Sequence, residues 1–126
     1  EIKKRDMKKP IRRESLAISP RLAKILINLS QVKKGELLLD CFCGVGGILQ
    51  EALIKGINVY GIDKDKKTIE YAKQNLKWIE ENFEINATWK LLNEDARKIK
   101  DISFDGVATE PELGKIVRKK LADNRR

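Results

Sequence analysis

The sequence predicts an α/β fold: a mostly parallel, doubly wound sheet of about four strands, preceded by a helix. Three observations predict it. Two short apolar runs, Leu37-Leu38-Leu39 and Val59-Tyr60-Gly61-Ile62, stop at Asp40 and Asp63, as strands buried on both faces do. They alternate with segments whose apolar residues recur at helical spacing, and strands alternating with helices pair in parallel through crossover connections. The junction between the first run and the helix after it, Gly44-Val45-Gly46-Gly47, is rich in glycine and suited to a tight turn.

Residues 1 to 14 are dense in Lys and Arg, include Pro10 and show no period, the pattern of a flexible basic arm. Ser19-Pro20 opens a helix, with serine as cap and proline in the first turn, where its missing N–H costs nothing. Leu22, Ala23, Leu26, Ile27 and Leu29 carry that helix to about Ser30, and a polar turn runs through Gly35. After the first strand and the glycine turn, Ile48, Leu49, Ala52 and Leu53 share one helical face, with Gly56 as the stop. After the second strand, Ile69, Ala72, Leu76 and Ile79 are spaced three, four and three, which predicts a helix from Lys66 to about Asn82. Residues 87 to 92 read as a third strand closed by Asn93-Glu94-Asp95-Ala96, and Phe104 to Thr109 as a fourth ending in Glu110-Pro111. Only a basic segment, 115 to 126, follows. A full sheet of this class continues with further strands, so this one is expected to be incomplete.

Composition narrows the chemistry. With 126 residues, 41% of them hydrophobic, the chain holds one domain's core. It contains no histidine, which removes Ser-His-Asp triads, Cys-His pairs and histidine metal sites. Its two cysteines, Cys41 and Cys43, are too few for a zinc tetrad and too close for a favourable disulfide, so no metal is expected and a reducing, cytoplasmic setting is. No apolar run approaches the roughly 20 residues that span a bilayer, and the basic start lacks a signal peptide's apolar stretch. The net charge of +8 is uneven: residues 1–24 carry +6, residues 115–126 carry +5, and the stretch between them is slightly acidic. Two basic ends point to an anionic partner, nucleic acid before membrane.

A strand, an acidic residue, a glycine turn and a helix together place a ligand at the carboxyl end of the strand. The dinucleotide fingerprint needs a glycine where Leu49 stands, and the phosphate loop's Gly-Lys-Ser/Thr is missing. Asp40 at the mouth would repel a pyrophosphate. It suits a ligand bearing an ammonium and a sulfonium, which is S-adenosylmethionine. Asp63, 19 residues after Gly44 and at the tip of the adjacent strand, is placed to accept both ribose hydroxyls, against the plainer reading of a strand-end turn former. Asp95, after the third strand, could accept from the adenine amino group or be a solvated loop residue. Cys41 and Cys43 read as packing residues under the turn, not nucleophiles, and Trp78 and Trp89 as core or helix-face residues.

Ser19-Pro20-Arg21-Leu22-Ala23 and Leu39-Asp40-Cys41-Phe42-Cys43-Gly44-Val45-Gly46-Gly47-Ile48-Leu49-Gln50-Glu51-Ala52 resemble the class I methyltransferase domain of archaeal THUMP-associated RNA methylases. The tRNA guanosine-N2 methyltransferases are among these. The resemblance covers roughly residues 13 to 114 and implies a Rossmann-like class I methyltransferase sheet. Carried over, it assigns Asp40, Phe42, Gly44 and Gly46 to the methionine end of the cofactor, Asp63 to the ribose and Asp95 to the adenine edge. It also assigns catalysis to Glu110 and Pro111, which match the start of the Glu-Pro-Tyr-Leu-Gly found in some relatives. Two positions depart from the pattern: Cys41 replaces a proline, and Glu112 stands where relatives carry an aromatic that stacks on the target base.

The expectation is therefore an S-adenosylmethionine-dependent RNA methyltransferase acting on an exocyclic base amine of tRNA, guanosine N2. It divides into a basic arm (1–14), a cofactor-binding domain (15–114) and a basic C-terminal segment (115–126). The partners expected are tRNA or another structured RNA, with a further chain supplying missing strands or a THUMP domain. Two alternatives stay open: a catalytically silent or truncated subunit that binds cofactor or RNA, and an α/β domain for another nucleotide.

Overall fold

The computed structural model describes residues 18–109, and everything below refers to these. The basic arm, Glu110, Pro111, Glu112 and the C-terminal segment lie outside the described residues. Helix α1 (Pro20–Ser30) starts as the sequence predicts, with the Ser19 hydroxyl accepting from the Leu22 N–H at 3.2 Å and Pro20 in the first turn. It ends at Gln31, which adopts φ 62°, so the stop comes before Gly35. Strand β1 (Leu37–Asp40) leads through the glycine turn into α2 (Gly47–Ile54), then come β2 (Asn58–Asp63), α3 (Lys66–Asn82), β3 (Trp89–Asn93), a 3-10 turn at Ala96–Lys98 and β4 (Gly106–Val107). Asp65 caps α3 by accepting from the Lys67 and Thr68 N–H groups, a role the sequence reading had not given it. None of these helices is long and apolar enough to cross a membrane.

The four strands are all parallel, in the order β3-β2-β1-β4. Leu38 lies beside Val59, which lies beside Trp89, and these side chains face the helices. Together with Ile27, Leu49, Leu53, Ile69 and Leu76 they form the core. The opposite face carries the row Leu39, Tyr60, Lys90 and Val107. There Leu39 and Ile62 line a cavity together with Ile99, Ile102 and Phe104 of the segment before β4.

Two strands differ from expectation. The third starts at Trp89 instead of residue 87, because the Asn58 side chain takes both the Thr88 N–H and its hydroxyl and so delays the ladder. The fourth shrinks to Gly106–Val107, although the Asp105 and Ala108 N–H groups flank it with bonds to the Leu37 and Leu39 carbonyls. Its one partner in the sheet, β1, is itself only four residues long. The chain thus builds outward from β1 to β3 and then returns to the far side of β1. Crevices at the carboxyl ends of strands beside such a reversal are where open α/β sheets bind ligands.

Candidate functional site

The site grows from the link between β1 and α2. Asp40 ends β1 and is 1% exposed, and its carboxylate accepts from the Phe42 N–H at 3.1 Å. The chain turns back over the end of β2, with the Cys43 N–H bonded to the Ile62 carbonyl and the Gly44 N–H to the Asp63 carboxylate at 3.1 Å. The Asp63 carboxylate also accepts from the Asp65 N–H at 2.9 Å. One carboxylate at the tip of β2 therefore ties the glycine turn of β1 to the start of α3.

The first two glycines of the turn serve different purposes. Gly44 has φ 55° and open space within 4 Å of where a Cβ would stand, so its surface is free for close approach. Gly46 has φ 90°, and the same position meets Ala72 and Leu76 of α3 at 3.7 and 3.8 Å. Its close approach is to the helix.

A cavity of about 300 Å³ opens beside the turn, lined by Cys41, Phe42, Asp63, Lys64, Asp95, Ala96 and Arg97. The carboxyl ends of three adjacent strands meet there. Of the expected residues, Phe42, Asp63 and Asp95 line it, Gly44 borders it through Asp63, Asp40 lies buried beneath, and Gly46 faces α3. Lys64, Ala96 and Arg97 were not singled out in the sequence, because nothing in their spacing ties three strand ends together. The Asp95 carboxylate caps the 3-10 turn through the Arg97 N–H and also holds the Arg97 guanidinium, with Nη2 at 2.7 Å. That pair keeps Asp95 well below the usual carboxylate range.

Burial acts in the opposite sense on Asp40, pushing its carboxyl up to about 7, and the nearby Asp63 charge adds to this. The same burial raises both thiols, Cys43 most strongly, and holds them in the unreactive protonated form. Among the described residues no cluster of three or more His, Cys, Asp or Glu side chains could hold a metal ion.

The lining fits S-adenosylmethionine better than a phosphate-rich nucleotide. Asp63 is 9% exposed, and as an acceptor-only group it has lone pairs left after its two backbone bonds, as a ribose diol requires. No glycine-lysine phosphate cradle is present; two carboxylates, Asp63 and Asp95, face the cavity and a third, Asp40, lies buried beneath it.

Residues 10–124 match the family model described as RMKL-like, methyltransferase domain. The tRNA (guanine(10)-N2)-dimethyltransferase of Methanothermobacter thermautotrophicus is 38% identical over 99 residues, 78% of this chain and 28% of that protein. The chain thus spans less than a third of this relative's length. Crystalline TrmN from Thermus thermophilus superposes with a TM-score of 0.64 at 25% identity, covering 78% of this chain and 31% of that one. An RNA methyltransferase from Salinibacter ruber, solved with S-adenosyl-L-homocysteine, has the same fold at a TM-score of 0.59 and 22% identity, covering 80% of this chain and 65% of that one.

Proposed function

The chain belongs to the RMKL-like methyltransferase-domain family, and we propose that it is the cofactor-binding part of an S-adenosylmethionine-dependent tRNA methyltransferase acting on an exocyclic base amine, guanosine N2. The observation that carries this reading is the cavity in which Phe42, Asp63 and Asp95 converge from three strand ends, with Asp63 clasping the glycine turn.

The cofactor supplies an electrophilic methyl group. Asp63 would accept the ribose hydroxyls while keeping its bonds to Gly44 and Asp65. Gly44 leaves room for the ligand to lie against the turn, and Phe42 gives it an apolar wall. The buried Asp40 would contribute negative charge toward a cationic ligand, which in turn would favour its ionised form. Asp95 would take the adenine amino group, sharing its oxygens with Arg97. An exocyclic amine is a poor nucleophile because its lone pair is delocalised into the ring, so acceptors for its N–H groups and in-line placement are what the protein must supply. Glu110 and the Pro111 carbonyl are the acceptors proposed. The basic ends would hold tRNA phosphates, and a further chain or a THUMP domain would complete substrate binding in the cytoplasm.

Methyl transfer from labelled cofactor to bulk tRNA tests the reading, using the wild type, Glu110→Ala and Glu112→Tyr. Transfer by wild type that Glu110→Ala abolishes and Glu112→Tyr raises is the expected result. Activity that survives Glu110→Ala overturns the catalytic assignment. No transfer by any of the three favours a silent cofactor-binding subunit, a reading that the missing aromatic at Glu112 also supports.

A further inference from the structure

We infer that Asn75, on the buried face of α3, is a positioning residue that sets the shape of the glycine turn for the cofactor. This rests on the cofactor reading above. The helix buries Ile69, Ala72, Leu76 and Ile79, and Asn75 lies among them, fully buried. Its Nδ2 donates to the Val45 carbonyl at 3.0 Å, and its Oδ1 has no partner among the described residues. An amide in that position is a poor choice for stability alone. A buried polar group with one unmet acceptor carries a desolvation cost that an apolar side chain of similar size would not.

The bond reaches the turn at the residue next to the one that Asp63 holds. Asp63 takes the Gly44 N–H from the β2 side, and Asn75 gives to the Val45 carbonyl from the α3 side. Gly46 then packs on Ala72 and Leu76 of the same helix. Residues 44, 45 and 46 are thereby fixed by three separate contacts, and Asn75 supplies among them a side-chain hydrogen bond from α3. The Val45 carbonyl lies in the peptide group that Val45 shares with Gly46, so the bond fixes that peptide and, one residue back along the chain, restrains the open surface of Gly44. Asn75 does not line the cavity itself and acts through the turn.

The test compares wild type with Asn75→Leu, close in volume and lacking the donor, and with Asn75→Ala as a smaller second variant. S-adenosylhomocysteine affinity is measured by calorimetry, thermal stability by circular dichroism, and amide exchange at residues 43–47 by NMR. The expected result is roughly tenfold weaker binding and faster exchange confined to the turn, with the unfolding temperature of Asn75→Leu little changed. Unchanged affinity in a folded variant overturns the proposal. So does a fall in unfolding temperature with exchange raised uniformly and affinity of the folded fraction intact, which is what a purely structural residue gives. If the wild type itself binds no S-adenosylhomocysteine, the cofactor reading fails. The exchange data then decide separately: faster exchange confined to the turn upholds Asn75 as its anchor, and unchanged protection removes that as well.

Discussion

Asp40 ought to make the protein less stable as pH rises, the reverse of an ordinary paired carboxylate. Its folded-state pKa is raised to about 7 from the ordinary 3.8, so between these values the folded protein holds a proton that the unfolded chain has released. Linkage then makes stability fall with rising pH across that window, with the contribution fully present below 3.8 and gone above 7. From pH 5 to pH 8 the two pKa values give a loss of roughly 2 to 3 kcal/mol from this one group. Asp40→Asn keeps the shape and an oxygen for the Phe42 N–H but cannot ionise. Urea denaturation of wild type and Asp40→Asn at both pH values isolates the effect, because titrating groups that do not interact with Asp40 cancel in the difference. The variant should gain about 2 to 3 kcal/mol on the wild type between pH 5 and pH 8. A difference that does not change with pH, or one that favours the wild type at pH 8, would show that the carboxyl titrates normally and that burial is not what governs it.

Three further outcomes follow from named contacts. Asp63→Asn should weaken S-adenosylhomocysteine binding by roughly 1.5 to 3 kcal/mol, about 10- to 100-fold by calorimetry, since charge-assisted hydrogen bonds are lost. Gly61→Ala should cost about 1 to 3 kcal/mol in denaturant unfolding, because its Cβ would stand 2.5 Å from Leu49 Cδ1 and 2.9 Å from Leu91 Cδ2. Removing residues 1–13 should lower tRNA affinity and flatten its salt dependence in a filter-binding series, as fewer phosphates are neutralised; equal slopes would mean the arm is only a solvated lysine-rich segment.

Much of the fold was legible because its signals are local. The three-four-three spacing of Ile69, Ala72, Leu76 and Ile79, the Ser19-Pro20 start and the apolar runs ending in Asp40 and Asp63 each specify an element without reference to the rest of the chain. The site was legible to the extent that strand ends converge: Phe42, Asp63 and Asp95 share one cavity because their strands are parallel neighbours. Long-range partners were not. The Asn58 clasp on Thr88, the packing of Gly46 on α3 and the Asn75 bond to Val45 join residues 26 to 30 positions apart, and no spacing along the chain marks them. Arg97 on Asp95 was missed for a different reason. Two charges of opposite sign two residues apart are common on any surface, and only the 3-10 turn brings the guanidinium onto the carboxylate.

The central claim is that the end of this sheet holds S-adenosylmethionine, and amide chemical-shift mapping with S-adenosylhomocysteine tests it most directly. Saturable shifts at Phe42, Gly44, Asp63, Lys64, Ala96 and Arg97, with the far face at Phe104 and Val107 unmoved, are the predicted result. A folded protein whose shifts stay unchanged at millimolar ligand, or move only on the far face or along α1, would contradict it.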